Sequence, residues 1–241
     1  MNKEIEKLQE IIDDSENIVF FGGAGGSTES NIPDFRSADG LYQQKYKYSP
    51  EQIVSHTFFM LNTEWFYEFY KEKMMFLDAK PNAAHKKLAE LEQAGKLKAI
   101  GISNFLIEDI ASLLETAKIK PMVNQILLHI SNTPMELVEY CQKNSIVVEA
   151  YSPIAHGEIL NQPEITTIAK KYGVTVPQLC IRYTLQLGAI SLPKTGNPEH
   201  MKSNAELDFE ISAEDMELLK NFKKIKSYGD SGIFPVYGGK M

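Results

Sequence analysis

Apolar and polar residues alternate along the chain with two periods, one typical of helices and one typical of short buried strands. Segment 4–14 has its isoleucines and leucine at helical spacing, and the apolar run 17–23 after it predicts a strand. The aromatic and methionine-rich segment 50–78 has the apolar spacing of two short helices packed into a core. Beyond this segment the pattern becomes regular.

From residue 82 onward, predicted helices and strands alternate. Helices are predicted at about 82–93, 107–117, 134–144, 164–172, 177–187 and 213–224, and strands at 97–103, 122–127, 146–152 and 189–194. We expect Gly95, Gly173 and Gly188 to end helices, and Ser212 with Asp215 to cap the last one. This alternation predicts parallel strands joined by right-handed crossovers, and five strands in all when 17–23 is included.

The composition is that of an ordinary globular chain, with 43% hydrophobic and 24% charged residues among 241. A formal net charge of −7 argues against nucleic acid or an anionic membrane as the main partner. The charged N-terminus has no signal-peptide core, and no apolar run approaches the ~18–20 residues of a membrane helix, so we expect a cytoplasmic protein. Cys141 and Cys180 form no CxxC motif, which predicts two buried thiols and no metal site.

The loop after the first predicted strand carries a distinctive motif. Residues 20–42, FFGGAGGSTESNIPDFRSADGLY, resemble the cofactor-binding opening of the sirtuins, the NAD-dependent protein deacylases, and the similarity continues to about residue 98. Glycines after a strand let backbone N–H groups approach a pyrophosphate closely. The resemblance implies a cofactor-binding loop with these candidate residues: Gly23, Ala24, Gly25, Ser27, Asp34, Phe35 and Arg36.

Two features separate this segment from a complete sirtuin. Asn31 stands where the family has glycine; a glycine there suggests positive φ, which asparagine tolerates next best. The family's catalytic histidine, four-cysteine zinc module and second nucleotide-binding stretch have no counterpart after residue 98. His56 and His85 precede that point and are expected to be surface or packing histidines.

The second part of the chain resembles another family. Four stretches are similar to the last four strands and loops of the aldo-keto reductase barrel: KLKAIGISNF (96–105), VNQILLH (123–129), VVEAYSPIAHG (147–157) and AISLPKTGNPEHMKSN (189–204). The similarity runs from about residue 86 to the C-terminus. It implies that NADP or NAD binds to Ser103, Asn104, Gln125, Tyr151, Ser152, Ile154, Gly157, Lys194, Thr195 and Asn204.

The resemblance gives these residues separate roles. Ser103, Asn104 and Gln125 would hold the nicotinamide carboxamide, and Tyr151 would stack on the ring. The loop at 152–157 would pass the pyrophosphate. Lys194 and Thr195 would face the 2′-phosphate of NADP, and Asn204 the adenine.

Some parts of the reductase pattern are altered or missing. His200 stands where the family usually has arginine, and Ser203 where an acid often precedes the asparagine, and both changes weaken the preference for NADP. The family's catalytic Asp, Tyr, Lys and His come from the first four barrel strands, which this chain lacks. No catalytic residue is therefore assigned.

Two arrangements would let such a chain fold. Four strands cannot close a barrel, which needs about eight. The first arrangement places 17–23 beside 97–103 in an α/β fold, a five-stranded, mostly parallel sheet with helices on both faces. It joins a Rossmann-like fragment (1–98) and a (βα)4 half-barrel (99–241) in one compact unit. The alternative pairs two half-barrels through open sheet edges in a homodimer.

These resemblances predict a dinucleotide-binding chimera. The leading hypothesis is an NAD(P)-binding protein with an oxidoreductase half and weak or no turnover, because the proton-transfer residues of both families are missing. The alternatives are a sirtuin-type, NAD-cleaving remnant and a fold chimera that binds no ligand. Under all three hypotheses, we expect the protein to bind neither a membrane nor nucleic acid.

Overall fold

The computed structural model describes residues 3–16, 18, 20, 23–34, 37, 40–41, 46–98, 100–225 and 228, with the side chains of 51 and 56 excepted. The chain folds as two compact units, Met1–Ile100 and Gly101–Met241. The described buried apolar residues follow the same division, because each unit has its own hydrophobic cluster.

The described elements of the first unit are helical. The helices are α1 (Lys3–Asp14), a 3-10 helix (Ala24–Ser30), α2 (Pro50–Ile53), α3 (His56–Leu61), α4 (Thr63–Lys73) and α5 (Ala83–Gln93). Segment 50–78 forms three helices instead of the predicted two, because the Ser55 hydroxyl accepts a hydrogen bond from Phe58 N and starts a new helix. A small cluster of Leu41, Ile53, Phe58 and Phe69 is the core of this unit.

The predicted strand 17–23 lies mostly outside the described residues, and residues 18, 20 and 23 have no regular secondary structure. Lys96 nevertheless forms hydrogen bonds with a residue of this segment and with residues just before it. The Ile18 N–H donates to the Lys96 carbonyl at 3.4 Å, and the Lys96 ammonium donates to the carbonyls of Asp13 (2.6 Å) and Ser15 (3.3 Å). A cation at these unpaired carbonyls stabilises the end of α1.

The second unit has the predicted alternation of strands and helices. Its elements are β1 (Gly101–Ser103), α6 (Ile107–Thr116), β2 (Val123–Leu127), α7 (Met135–Lys143), β3 (Val147–Tyr151), a 3-10 helix (Ala155–Asn161), α8 (Pro163–Lys171), α9 (Val176–Gln186), β4 (Ile190–Leu192), α10 (Pro198–Ala205) and α11 (Ala213–Lys220). The sheet has the order β1-β2-β3-β4, and neighbouring strands are parallel. The α/β prediction with a parallel sheet is confirmed.

The outer strands are shorter than predicted, for local reasons. The strand predicted at 97–103 begins only at Gly101, because the Ile100 N–H donates to the Glu92 carboxylate at 2.7 Å instead of to a neighbouring strand. The strand predicted at 189–194 ends at Leu192, because Pro193 has no N–H to donate. The central strands match their predictions within a residue or so.

The two faces of this sheet differ. Ile126, Val148 and Ala150 lie on one face and join the main hydrophobic cluster with residues of α6, α7, α8, α9 and α11. On the opposite face, Val147, Ile190 and Leu192 are 39%, 45% and 37% exposed. Parallel sheets are normally covered on both faces, so this exposed row of apolar side chains is unusual.

Helix ends follow the predicted signals. Gly95, Gly173 and Gly188 all have positive φ, and the Ser212 hydroxyl accepts from Asp215 N at 3.2 Å, so these predictions are confirmed. At Gly188, with φ of 80°, an added Cβ would lie 2.9 Å from Gln142 Nε2. Glycine at this position therefore avoids both backbone strain and a clash.

Candidate functional site

The register of the parallel strands places three polar side chains in one row. Ser103 pairs with Gln125, and Gln125 pairs with Glu149 on the next strand. Paired residues of neighbouring strands point to the same face, here the face opposite the helices. Two of the residues predicted to hold a carboxamide, Ser103 and Gln125, are thus neighbours near the carboxyl ends of β1 and β2.

Asn104 and Tyr151 complete this group. Asn104 has φ of 55°, and its N–H donates to the Gln125 carbonyl at 2.9 Å, beside the Ser103 hydroxyl, which donates to the same oxygen at 3.1 Å. The Tyr151 hydroxyl donates to Asn104 Oδ1 at 3.0 Å. The structure therefore brings Ser103, Asn104, Gln125 and Tyr151 together, and we name these four residues the amide cluster.

Two residues that the sequence did not single out support the amide cluster. The Gln125 amide nitrogen donates to the Glu149 carboxylate at 2.9 Å. On the helix-covered face, the fully buried Asn124 donates from Nδ2 to the carbonyl of Phe105 at 3.0 Å, while its Oδ1 has no hydrogen-bond partner among the described residues. Asn124 thereby holds the loop that follows Asn104. The only sequence signal for it was its place beside Gln125.

An apolar pocket of about 440 Å³ lies at the ends of β1 and β2. Asn104, Ile126 and Leu127 form part of its wall, together with the first turns of α6 and α7. A pocket of this volume is in the range of small-molecule sites. It shares only Asn104 with the amide cluster.

The loop after β3 has an unusual backbone. Ser152, Ala155, His156 and Gly157 have φ of 52°, 49°, 54° and 93°. The N–H groups of Ala155 and Gly157 donate to the carbonyls of Ser152 and Ile154, both at 2.8 Å. The Ser152 hydroxyl lies 3.2 Å from His156 Nε2, and partial burial lowers the pKa of His156 below its ordinary value. Ile154, the remaining predicted residue here, precedes the left-handed Ala155.

The loop after β4 presents the predicted phosphate residues. Lys194 is exposed, and Thr195 Oγ1 accepts from the N–H of Asn197 at 3.1 Å. Asn197 then caps α10, a helix that the sequence analysis missed although Asn197 followed by proline is a start signal. Asn204 lies within α10.

A buried glutamine fixes α10. Gln178 of α9 is 8% exposed, and its amide nitrogen donates to the carbonyls of Ser203 (3.1 Å) and Glu206 (3.0 Å). The end of α10 that carries Asn204 is therefore attached to the main body of the second unit.

The glycine-rich loop belongs to the first unit. Gly23 precedes the 3-10 helix that contains Ala24, Gly25 and Ser27, and a Cβ added at Gly23 or Gly25 would meet nothing within 4 Å. This open space is compatible with the close approach of a ligand. The Asp34 carboxylate accepts from Ser37 N at 2.8 Å, whereas Phe35 and Arg36 lie outside the described residues.

Asn31 adopts the conformation that the family's glycine suggested. Its φ is 60° and its ψ is 24°, in the left-handed region, at the end of the 3-10 helix. Nearby, the Asn82 amide donates to the Gly26 carbonyl at 2.8 Å. His85 is exposed and forms a capping box with Asn82, so its predicted surface role is confirmed; the side chain of His56 lies outside the described residues.

The remaining titratable core groups are structural. Cys141 and Cys180 are fully buried, as predicted, and burial raises the pKa of both thiols, that of Cys180 to about 12. Burial lowers the pKa of His129 to about 4, and its Nε2 lies 3.0 Å from the buried Tyr228 hydroxyl. At neutral pH these thiols are protonated and His129 is neutral.

Within the described residues, His, Cys, Asp and Glu form no group of three or more that could hold a metal ion. None of the described helices is long and apolar enough to cross a membrane.

Comparison with known proteins decides between the possible families. The model of the aldo/keto reductase family matches residues 62–224, which is more than half of the chain. The chain belongs to the aldo/keto reductase family. The chain is also similar to proteins that are not aldo/keto reductases. The NAD-dependent protein deacetylase of Clostridium acetobutylicum is 62% identical over 102 residues, 42% of this chain and 42% of that protein.

Relatives of the reductase part are similar over a longer stretch. The uncharacterized oxidoreductase YtbE of Bacillus subtilis is 40% identical over 141 residues, 58% of this chain and 50% of that protein. The crystal structure of a Bombyx mori aldo-keto reductase in complex with NADP has a TM-score of 0.53 and 29% identity, covering 67% of this chain and 59% of that one. Both resemblances seen in the sequence are confirmed, and the chain spans about half or less of the length of these two curated relatives.

Proposed function

We propose that this protein binds a pyridine dinucleotide, NADP or NAD, at the carboxyl ends of β1 to β4, with weak or no turnover of carbonyl substrates. The amide cluster carries this proposal, because it gathers amide and hydroxyl groups at the edge where parallel sheets bind ligands. The NADP complex of the Bombyx mori relative supports it. In the proposed complex Tyr151 stacks on the nicotinamide ring.

The other loops of the second unit fit the rest of a dinucleotide. The loop at 152–157, which contains four left-handed residues, passes the pyrophosphate. Lys194 and Thr195 face the 2′-phosphate, and Asn204 on α10 faces the adenine. Because His200 replaces the family's arginine, the preference for NADP over NAD is modest.

Loss of turnover follows from what the reductase part lacks. The bound nicotinamide would supply a hydride, but reduction of a carbonyl also needs a group that donates a proton to the developing alkoxide. In the family that group comes from the first four strands, and we propose that residues 1–98, a sirtuin-like fragment, replace them. We therefore expect the protein to bind the coenzyme although it no longer reduces carbonyl substrates.

Lys194 tests the position of the 2′-phosphate. Lys194→Ala should raise the Kd for NADPH by about tenfold, because a charge-assisted contact contributes about 1.5–3 kcal/mol and solvent weakens it at this exposed site. The Kd for NADH, which has no 2′-phosphate, should change by less than about twofold. Isothermal titration calorimetry gives both constants. The matched control is Lys170→Ala on α8; an equal loss for both coenzymes, or for the control, would contradict the assignment.

The five-stranded sheet and the domain assignment belong to the same proposal. The hydrogen bond from Ile18 N to the Lys96 carbonyl favours placing 17–23 beside 97–103. In this arrangement residues 1–98 form the sirtuin-like part and 99–241 the half-barrel. A cytoplasmic location stays a prediction.

The alternative to this five-stranded arrangement is a homodimer through the open sheet edges. β1 and β4 are the edge strands of the described sheet, and the row of Val147, Ile190 and Leu192 is exposed. A second copy would pair with an edge and cover this row. Light scattering should give a dimer mass that Ile190→Lys converts to a monomer; a monomer at all concentrations would contradict it.

NAD cleavage is a second candidate, favoured only by the 62% identity to the deacetylase over 102 residues. It predicts slow release of nicotinamide from NAD that is lost in Arg36→Ala. Absence of any nicotinamide release at millimolar NAD would exclude this activity.

A further inference from the structure

The Asn104 side chain is hydrogen-bonded to Tyr151. The phenol hydroxyl donates to Asn104 Oδ1 at 3.0 Å, so the amide oxygen is engaged and the amide nitrogen is directed elsewhere. The backbone leaves little freedom, because Asn104 is left-handed and its N–H is bonded to the Gln125 carbonyl. Asn104 therefore offers a ligand an N–H donor.

Glu149 sets the orientation of the Gln125 amide, because it engages the amide nitrogen and leaves the amide oxygen for a ligand. Gln125 Nε2 donates to Glu149 Oε2 at 2.9 Å, and the two residues are register partners on β2 and β3. A carboxylate only accepts hydrogen bonds, and a flipped Gln125 amide would place two oxygens against each other. Gln125 therefore offers a ligand its carbonyl oxygen.

We infer that Glu149 fixes Gln125 as an acceptor beside the Asn104 donor, and that this pair selects a primary carboxamide over other ring substituents. A carboxamide has one oxygen that accepts and one NH₂ that donates, which complements the pair. An acetyl group lacks the N–H, and a carboxylate lacks it and adds a negative charge near Glu149. The inference rests on the proposed coenzyme binding and gives Glu149 a positioning role.

Three ligands and three variants test this selection. The ligands are NADPH, its 3-acetylpyridine analogue and its deamido analogue, which carries a carboxylate. The variants are Glu149→Leu, which releases Gln125; Glu149→Gln, whose amide can accept from Gln125 or donate to it; and Glu139→Leu, a control on the exposed face of α7. Calorimetry gives the Kd of each ligand, and the ratio of analogue to NADPH is the readout.

The unmodified protein and Glu139→Leu should bind NADPH about tenfold more tightly than the acetylpyridine analogue, the value of one hydrogen bond of about 1.4 kcal/mol. The deamido analogue should bind more weakly still. In Glu149→Leu the acetylpyridine ratio should fall below about twofold, because a free Gln125 amide can turn. It should also fall in Glu149→Gln, because an amide at position 149 can pair with either orientation of Gln125. Because Glu149→Gln keeps the side-chain volume and a hydrogen bond, its effect separates positioning from a merely structural effect of Glu149.

A measurement without coenzyme complements the ratio. The side-chain NH₂ resonances of Gln125 in a ¹H–¹⁵N spectrum should shift in both Glu149→Leu and Glu149→Gln and stay close to their original positions in Glu139→Leu. If NADPH binds but the ratio is near one, or is unchanged in Glu149→Leu, the inference is wrong while the proposed function stands. If NADPH does not bind at all, both are overturned.

Discussion

Replacing Asn124 by aspartate should lower the free energy of unfolding by about 3–5 kcal/mol at pH 7, the typical cost of an uncompensated buried charge. Asn124 is fully buried, and its amide nitrogen donates to the Phe105 carbonyl at 3.0 Å. A carboxylate has no hydrogen to donate and would face that carbonyl oxygen directly. The Cys141 thiol, 3.9 Å from the same nitrogen, offers little compensation.

The loss in Asn124→Asp should depend on pH. Burial and the neighbouring carbonyl raise the pKa of the new carboxyl in the folded state above its unfolded value of about 3.9. The folded state therefore retains the proton longer, so the destabilisation is smallest below about pH 4 and grows as the pH rises. Urea unfolding at pH 4 and pH 7 measures the difference.

A matched variant separates the charge from the lost hydrogen bond. Asn124→Leu keeps a similar volume but leaves the Phe105 carbonyl without its donor, which should cost about 1–3 kcal/mol at both pH values. An equal loss for the two variants at pH 7, or no pH dependence for Asn124→Asp, would show that Asn124 is not buried as the structure has it.

Tyr151→Ala should have the largest effect on coenzyme affinity. In the proposed complex its ring stacks on the nicotinamide, and in the structure its hydroxyl orients Asn104. Losing both should raise the Kd for NADPH by about 30-fold, which corresponds to about 2 kcal/mol. Quenching of protein fluorescence or calorimetry measures this constant.

Tyr151→Phe separates the contribution of the stacking ring from that of the hydroxyl. It keeps the stacking ring and removes only the hydrogen bond to Asn104, so the Kd should rise by about 2–10-fold. Tyr67→Ala, on an exposed position of α4, is the control and should leave the Kd unchanged. If Tyr151→Ala binds NADPH within about twofold of the unmodified protein, the coenzyme does not contact Tyr151.

Much of the second unit was predictable because local signals and long-range packing agree there. The apolar runs that contain Val148 and Ile126 predicted central strands, and Gly173 and Gly188 marked helix ends that the structure confirms. The resemblance named Ser103, Asn104, Gln125 and Tyr151, and the parallel register brings all four together. Agreement between local and global preferences is what makes such predictions succeed.

Other features depend on contacts that a sequence does not display. The start of β1 was missed because the Glu92 side chain, eight residues away, takes the Ile100 N–H. Glu149 and Asn124 were overlooked because their importance comes from cross-strand register and from the burial of one face. The helix after Asn197 could have been found, since its cap and proline were visible.

The first unit shows that hydrophobic periodicity predicts a helix but not the burial of its apolar face. The apolar spacing of segment 4–14 predicted a helix, and α1 is one, yet Ile5, Leu8 and Ile11 are 57%, 55% and 54% exposed. Helical spacing predicts that a segment is amphipathic, but whether the stripe is covered depends on the partner that packs against it.

We propose that coenzyme binding persists at the strand ends while turnover is lost. A titration of the purified 241-residue chain with NADPH distinguishes binding from turnover, if fluorescence and absorbance at 340 nm are followed before and after a panel of aldehydes is added. We expect saturable binding at one site per chain, abolished or strongly weakened by Tyr151→Ala, and no aldehyde-dependent oxidation above the rate without protein. Absence of saturable binding, or rapid aldehyde-dependent oxidation of NADPH, would contradict it.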